Sequence, residues 1–573
     1  MRVTPTWFGP PDRPLFGWLH LPDDHQARGV VVLCGPLGRE CANALPAMQA
    51  LSDRLARAGL AALRFDYAGT GDSAGGLDEP GRLSDWLSSV DQALALARAS
   101  SSGPLVVIGT RMGALLATEA VTRGTPVDGL ILWDPCLSGR EFLRIEKTLL
   151  ATGYGAPQRG DGSVTGPAFT YAPETVKELS ALELTPTDPT TATRTLVLAR
   201  SEGRSLPAAR SAFAAAHVDW MEVDGQPDLL DVPPQQLTVP ATTIKTIAEW
   251  TSQLVDGPPR AFGMRTVDQA VVAHGPDGRP ISEQARWLGP NSLFGMLTEP
   301  DRPDQPDAPA SRPPPVPATV VLLSAGALDH TGPGRMWVDL ARRFAEDGIR
   351  TLRVDLDGIG ESYGRAEYQR QIPKPPEAID DLADMAEALG DPQGRSLVFV
   401  GLSSGGYHAI EAGLHLHPKA VCAINPALSS WVPEVDHCPP DARRRAYRPM
   451  PDALQRLAVK HARVATWLWR AMLQVAVSGS PSHAVAGVSR RGTPVLLINC
   501  EGDAREFEPS LYWSVVGRGL HRRGLLDMKV VPGDDHSLYT LDGQRDAYPL
   551  LTEWTLQHCG RPARESAVRT GSN

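Results

Sequence analysis

Ser403, Asp503 and His536 occur in that order, each just beyond a short apolar run, and together they suit nucleophilic attack on an acyl carbon. Ser403 is the centre of Gly401-Leu402-Ser403-Ser404-Gly405. In a G-x-S-x-G sequence a strand ends in a sharp turn that lifts the serine hydroxyl above the sheet, and a helix follows at once. Glycines flank the serine because the backbone there is too crowded for a Cβ. The hydroxyl becomes a nucleophile only when a base within hydrogen-bond reach takes its proton and an acid orients that base. Asp503 follows Pro494-Val495-Leu496-Leu497-Ile498, and His536 follows Asp527-Met528-Lys529-Val530-Val531. Both fall at the carboxyl ends of strands, where open α/β sheets place their ligands. Taken singly, a Gly-Asp pair is a turn and a histidine is a surface or core group; order and placement carry the reading. Glu501 is the rival acid, and Asp534 and Asp535 are read as shaping the histidine loop. Two backbone amides should receive the oxyanion: that of Ser404, and that of Ala327 in Ser324-Ala325-Gly326-Ala327-Leu328, where Gly326 permits a tight turn.

The elements that must hold these groups are legible around them. Ser396-Leu397-Val398-Phe399-Val400 lacks polar alternation, as a strand buried on both faces should, and Gly406–Ala412 begins a helix. Strands are predicted at Thr319–Leu323, Thr351–Val354, Ala420–Ile424, Pro494–Ile498 and Asp527–Val531, with a helix near Met336–Asp347. Alternating strands and helices predict a doubly wound α/β sheet, mostly parallel.

The whole arrangement is written twice. Trp7-Phe8-Gly9-Pro10 recurs as Trp287-Leu288-Gly289-Pro290, and Leu15-Phe16-Gly17 as Leu293-Phe294-Gly295. Arg64 to Ser73, RFDYAGTGDS, recurs as Arg353 to Ser362, RVDLDGIGES, and Ile247-Ala248-Glu249-Trp250 as Leu551-Thr552-Glu553-Trp554. A period of about 300 residues is a domain rather than a solenoid repeat. Two domains are therefore expected, 1–256 and 261–560, with Asp256–Arg260 as linker and 561–573 as a polar tail. Pro300 to Pro317 reads as a solvated loop inside the second domain. In the first copy the elbow is Gly109-Thr110-Arg111-Met112-Gly113, after Leu105-Val106-Val107-Ile108. Alignment of the later strands puts Arg204 at the acid position and Asp228 at the histidine position. A guanidinium cannot attack a carbonyl, so the first copy is expected to be non-catalytic. Arg111, Arg204 and Asp228 would form either an ion cluster filling the former cleft or a site for a carboxylate or phosphate.

Composition sets the outer bounds. The 573 residues are 42% hydrophobic and 21% charged, as in soluble globular proteins. A net charge of −10 gives no basic footprint for nucleic acid. Seven scattered cysteines fit free thiols in a reducing cytoplasm. The start Met1–Trp7 lacks a signal-peptide core, and no apolar run reaches the roughly 20 residues of a membrane span. A cytoplasmic protein that needs no metal or cofactor is expected.

The second copy resembles the α/β-hydrolase superfamily, in its serine aminopeptidase/lysophospholipase-like branch, through Val354–Ser362, Gly401–Gly405, Glu501-Gly502-Asp503 and Gly533–His536. The first copy, with Gly109–Gly113 and Leu132-Trp133-Asp134-Pro135-Cys136-Leu137-Ser138-Gly139-Arg140, is similar to arginine-elbow proteins, among them exosortase-system-associated hydrolases. The resemblance implies a lid inserted after the strand that follows the elbow helix, near 427–491 in the second copy and 137–193 in the first. Trp467, Trp469, Met472 and Leu473 in the former would either pack over the sheet or bind an acyl chain. The expected function is a serine hydrolase of esters, thioesters or amides acting on a small acyl or peptidyl substrate, with a carrier protein as a compatible partner. The same triad also serves acyltransferases and cyclases, and a non-catalytic scaffold is the remaining reading.

Overall fold

The computed structural model describes the chain apart from residues 1, 77, 125, 155–157, 168, 186–189, 201–209, 212, 214–216, 301–317, 363–376, 427–480, 508–515, 534 and 560–573. Its packing divides into two compact units. The first comprises Met1–Arg312, Ala327–Gln371 and Leu538–Gln544, the second Pro313–Gly326, Ile372–Ser537 and Arg545–Asn573.

In the first unit, Val30–Cys34 is apolar throughout and fully buried, so it needs cover on both faces. Val31 and Leu33 pack with Ala44, Leu51, Ile244 and Trp250, whereas Val30 and Val32 pack with Trp86, Val90, Leu115 and Leu116. The helices Glu40–Arg57 and Ala241–Leu254 thus cover one face, and Arg82–Ser100 and Met112–Arg123 the other. The eight strands run in the order Arg2–Phe8, Leu15–Leu21, Ala61–Phe65, Val30–Cys34, Leu105–Thr110, Val127–Trp133, Ala192–Arg200, Val218–Val223. The first two pairings are antiparallel and the rest parallel. Between Val127–Trp133 and Ala192–Arg200 lies the inserted segment: a helix Gly139–Tyr154, a hairpin Val164–Gly166/Phe169–Tyr171 and a helix Pro173–Ala181. The same unit holds the antiparallel strands Gln269–His274, Pro280–Leu288, Leu293–Pro300 and Arg350–Val354.

The second unit is built on parallel strands in the order Thr319–Leu323, Leu397–Leu402, Ala420–Ile424, Val495–Cys500, Leu526–Val531. Each lies within two residues of its sequence-predicted run. The helix Ser404–His415 follows Leu397–Leu402 after a one-residue turn at Ser403. Of the lid expected at 427–491, residues 427–480 lie outside the described residues, as does the loop 301–317; Pro481–Arg490 is a helix.

Candidate active site

Ser403 adopts φ 55°, ψ −114°, a conformation that L-residues avoid, at the junction of strand and helix. The crowding that makes its flanking glycines necessary is direct. A Cβ on Gly405 would stand 2.3 Å from the Leu323 carbonyl oxygen, and one on Gly401 would stand 2.0 Å from that of Gly405. This turn aims the Ser403 hydroxyl at His536, with Oγ 2.9 Å from Nε2. On the far side of the ring Nδ1 donates to Asp503 Oδ2 at 2.6 Å. Burial works against the charge on Asp503, but the hydrogen bonds from His536 and Cys500 outweigh it and hold the carboxyl below its usual range. An ionised Asp503 requires the proton on Nδ1, which leaves Nε2 as the acceptor facing Ser403. The three sequence-predicted residues are therefore brought into one hydrogen-bonded chain. Glu501 is exposed and heads the short helix Glu501–Phe507 that carries Asp503, and Asp535 is half-buried.

Sequence reading missed the residue that ties this chain together. Asn425 is buried, has φ 41°, and follows directly on Ala420–Ile424. Its Nδ2 donates to the His536 carbonyl at 2.7 Å, and its Oδ1 accepts the Cys500 amide at 2.7 Å. One side chain thereby joins the histidine loop to the end of the strand that leads into the acid-bearing helix. Burial also pushes the Cys500 thiol up to about 11, so Sγ stays protonated and donates to Asp503 Oδ2 at 3.1 Å. The sequence offers only an asparagine directly after an apolar run, a residue that tolerates left-handed backbone, and nothing in it shows what the side chain would bridge.

Of the expected oxyanion donors, Ser404 begins the helix beyond Ser403 and is buried. Its own hydroxyl accepts the Gly326 amide at 2.7 Å, which fixes the loop after Thr319–Leu323 within the second unit. Ala327, the other expected donor, is a buried residue of the first unit.

The first copy keeps the turn and changes its content. Arg111 has φ 54°, ψ −120°, close to the values at Ser403, and a Cβ on Gly113 would stand 2.2 Å from the Gly35 carbonyl oxygen. The guanidinium does not meet Asp228, contrary to expectation. Glu40 takes it at Nε (3.0 Å) and NH2 (3.0 Å), and NH1 donates to the Asp134 carbonyl (3.0 Å) beside the Asp134 carboxylate. Asp228 lies exposed in the short helix Gln226–Leu230, and Arg204 lies outside the described residues. Asp134 also accepts from Arg200 Nε at 2.7 Å. The position of Asp134 is that of Asn425: each follows the strand after the elbow helix at positive φ and donates its amide to the next strand, at Leu198 and Ile498 respectively. The strand registers set Leu198 against Ile498, one residue out of step with the alignment that put Arg204 at the acid position. Where the second copy has serine, asparagine and cysteine at 403, 425 and 500, the first has Arg111, Asp134 and Arg200. An ion cluster has replaced the neutral hydrogen-bonded clamp. It leaves Arg111 neutralised by carboxylates of its own chain rather than open to an external anion.

Comparison with known proteins comes to the same two regions. Residues 320–547 match the model of the Alpha/beta hydrolase family, and residues 25–197 match that of Serine aminopeptidase, S33. No curated protein matches the chain. Among solved structures it is similar to the esterase domain of a Rhodothermus marinus protein (17% identity, 45% of this chain and 100% of that one, TM-score 0.34). It is also similar to a monoglyceride lipase from Saccharomyces cerevisiae (13%, 44% and 97%, TM-score 0.31) and a carboxyl esterase from Bacillus coagulans (14%, 45% and 100%, TM-score 0.31). No described helix is long and apolar enough to cross a membrane. Both matched regions belong to the α/β-hydrolase superfamily, and the chain carries them in tandem.

Proposed function

We propose that the chain is a serine hydrolase that cleaves an ester, thioester or amide acyl bond at Ser403, while the first copy has lost catalysis. The observation that carries this reading is the continuous hydrogen-bonded run from Ser403 Oγ through the His536 ring to Asp503. Ser403 Oγ attacks the acyl carbon as its proton passes to His536 Nε2, and Asp503 holds Nδ1–H and the imidazolium that forms. The carbonyl oxygen becomes an oxyanion received by the Ser404 amide, with Ala327 as the second donor read from sequence. Collapse breaks the bond to the leaving group, which takes the proton from His536. Water then attacks the acyl-enzyme by the same route in reverse roles. Domains at 1–256 and 261–560, a cytoplasmic location and a small acyl or peptidyl substrate belong to this reading.

Labelling with a fluorophosphonate probe tests it. Wild type and Arg111→Ala should label and Ser403→Ala should not, with kcat on a reporter ester falling on the order of a millionfold, as when other triad serines are removed. Labelling that survives in Ser403→Ala, or a wild type that never labels, would overturn the assignment.

A further inference from the structure

A body of buried charge within the first compact unit joins the two copies of one motif. Arg64, Asp66, Asp72 and Ser73 of the first copy correspond to Arg353, Asp355, Glu361 and Ser362 of the second. Within each copy the loop is built alike. Asp66 Oδ2 accepts the Asp72 amide and Asp355 Oδ2 the Glu361 amide, both at 2.9 Å. Ser73 and Ser362 donate to the Asp66 and Asp355 carbonyls and accept the amides of Phe16 and Phe294. The arginines and the acids at the loop ends, however, are exchanged. Arg64 grips Glu361 with two parallel bonds, NH1 to Oε1 at 2.9 Å and NH2 to Oε2 at 2.8 Å. Arg353 NH1 in turn donates to Asp72 Oδ1. Contacts of residue i with j and of j with i are the mark of an isologous interface, the kind that holds a two-fold dimer.

The exchange is sealed from water. The side chains of Asp72, Arg353 and Glu361 are at most 3% exposed and that of Arg64 is 7% exposed. Further second-copy groups close on the first-copy loop. His330 sits between Asp72 and Asp355, 2.8 Å from each. Arg342 NH2 donates to the Asp72 carbonyl at 2.7 Å, and Arg335 donates to the Gly71 and Ser73 carbonyls at 2.7 and 2.8 Å. In the other direction, first-copy Gln49 Nε2 donates to Gly360 O and Glu361 Oε2, both at 2.8 Å. Trp18 packs edge-on against Phe294 beside them, with ring centroids 4.6 Å apart.

We infer that the first copy persists as a built-in partner subunit of the second, fused to it in the manner of a two-fold dimer, and that the reciprocal Arg64–Glu361 and Arg353–Asp72 pairs make that partnership obligatory. This role is independent of any chemistry at Ser403. It explains why a domain whose elbow carries arginine retains its complete sheet and its RxDxxGxG(D/E)S loop.

Two measurements on the full chain test it. The first is a thermal-unfolding cycle of Arg64→Met, Glu361→Met and the double variant. Removing one member strands a buried charge, whereas removing both leaves two apolar side chains. Each single variant should lower the unfolding midpoint by several degrees or fail to fold, and the double variant should recover most of that loss. A double variant as impaired as the two singles combined would overturn the proposal. The second uses a protease site inserted between Gly257 and Pro258. After cleavage the two fragments should co-elute in size exclusion from wild type and separate when Arg64→Met and Arg353→Met are both present. Wild-type fragments that separate on cleavage would equally overturn it.

Discussion

At Asn425 an amide does what neither a carboxylate nor an alkyl group could, because it must donate to the His536 carbonyl and accept from the Cys500 amide at once. Asn425→Asp keeps the acceptor and sets a carboxylate oxygen against a carbonyl oxygen. An unmade buried hydrogen bond costs about 1–3 kcal/mol. If that loss falls on the alignment of His536, kcat on a reporter ester should drop roughly tenfold or more while KM changes little. An unchanged kcat in a folded Asn425→Asp protein would remove Asn425 from the positioning machinery. The reverse experiment belongs to Arg111. Arg111→Ser restores the G-x-S-x-G sequence but supplies no histidine; it takes the guanidinium from the largely buried Glu40 and leaves Asp134 with Arg200 alone. Breaking a buried pair by removing one member costs about 3–5 kcal/mol. The variant should therefore melt lower than wild type and gain no fluorophosphonate label in a Ser403→Ala background. Ser403, Asp503 and His536 were legible because each falls in a motif or at a strand end. Asn425 was not, since its role depends on two loops that only the fold brings to it. The pairing of Arg111 with Asp228 was misread for the same reason: alignment assigns a position along the chain, not the direction in which a side chain turns.

The elbow is a property of the strand–turn–helix unit more than of the nucleophile it carries. Arg111 and Ser403 share φ and ψ to within a few degrees although only one can attack a carbonyl. Gly113→Ala and Gly405→Ala would each force a Cβ to within 2.2–2.3 Å of a neighbouring strand's carbonyl oxygen. Overpacking of a rigid backbone costs about 1–3 kcal/mol or more. Both variants should lose comparable stability in thermal melts; a silent Gly113→Ala would show that the first-copy turn had relaxed. The inserted segment of the first copy carries a separate signal. Glu146, on the helix Gly139–Tyr154, is buried near Glu40, and burial first, then Glu40, raises its carboxyl to about 8. A carboxyl raised by folding binds its proton more tightly in the folded chain. Its contribution to stability is therefore greatest below about pH 4.5 and is lost as pH rises towards 8. Glu146→Gln keeps the shape without the charge, so it should stabilise the protein at pH 8 relative to wild type and change little at pH 4.5. The central strands of both copies were readable as unbroken apolar runs. The strand Pro280–Leu288 was passed over because its half-buried alternation carries charged and amide side chains at Glu283, Gln284 and Arg286.

Over the whole molecule, the duplication was visible in the sequence as two copies of one series of motifs, but the crossing of their charges was not. Two arginines and two acids at equal spacing are compatible with each copy pairing within itself, and only the fold selects exchange. The consequence reaches the autonomy of the second copy. Without residues 1–256, Glu361 would lose Arg64, and Arg353 and His330 would lose Asp72. Arg342 and Arg335 would in turn lose the carbonyls of Gly71, Asp72 and Ser73. Arg353 and Arg342 keep Glu283, His330 keeps Asp355 and Arg335 keeps Asp339, so the deficit is partial at these four and complete at Glu361. One complete loss and four partial ones, at up to about 1–3 kcal/mol each, are a sizeable share of the roughly 5–15 kcal/mol that holds a folded domain together. Residues 261–573 expressed alone should therefore show no cooperative melting by circular dichroism and no fluorophosphonate labelling, even with Ser403, Asp503 and His536 all present. If that fragment melted cooperatively and labelled at the wild-type rate, water would be replacing the first copy at small cost, and the exchanged pairs would be a consequence of the fusion rather than its reason.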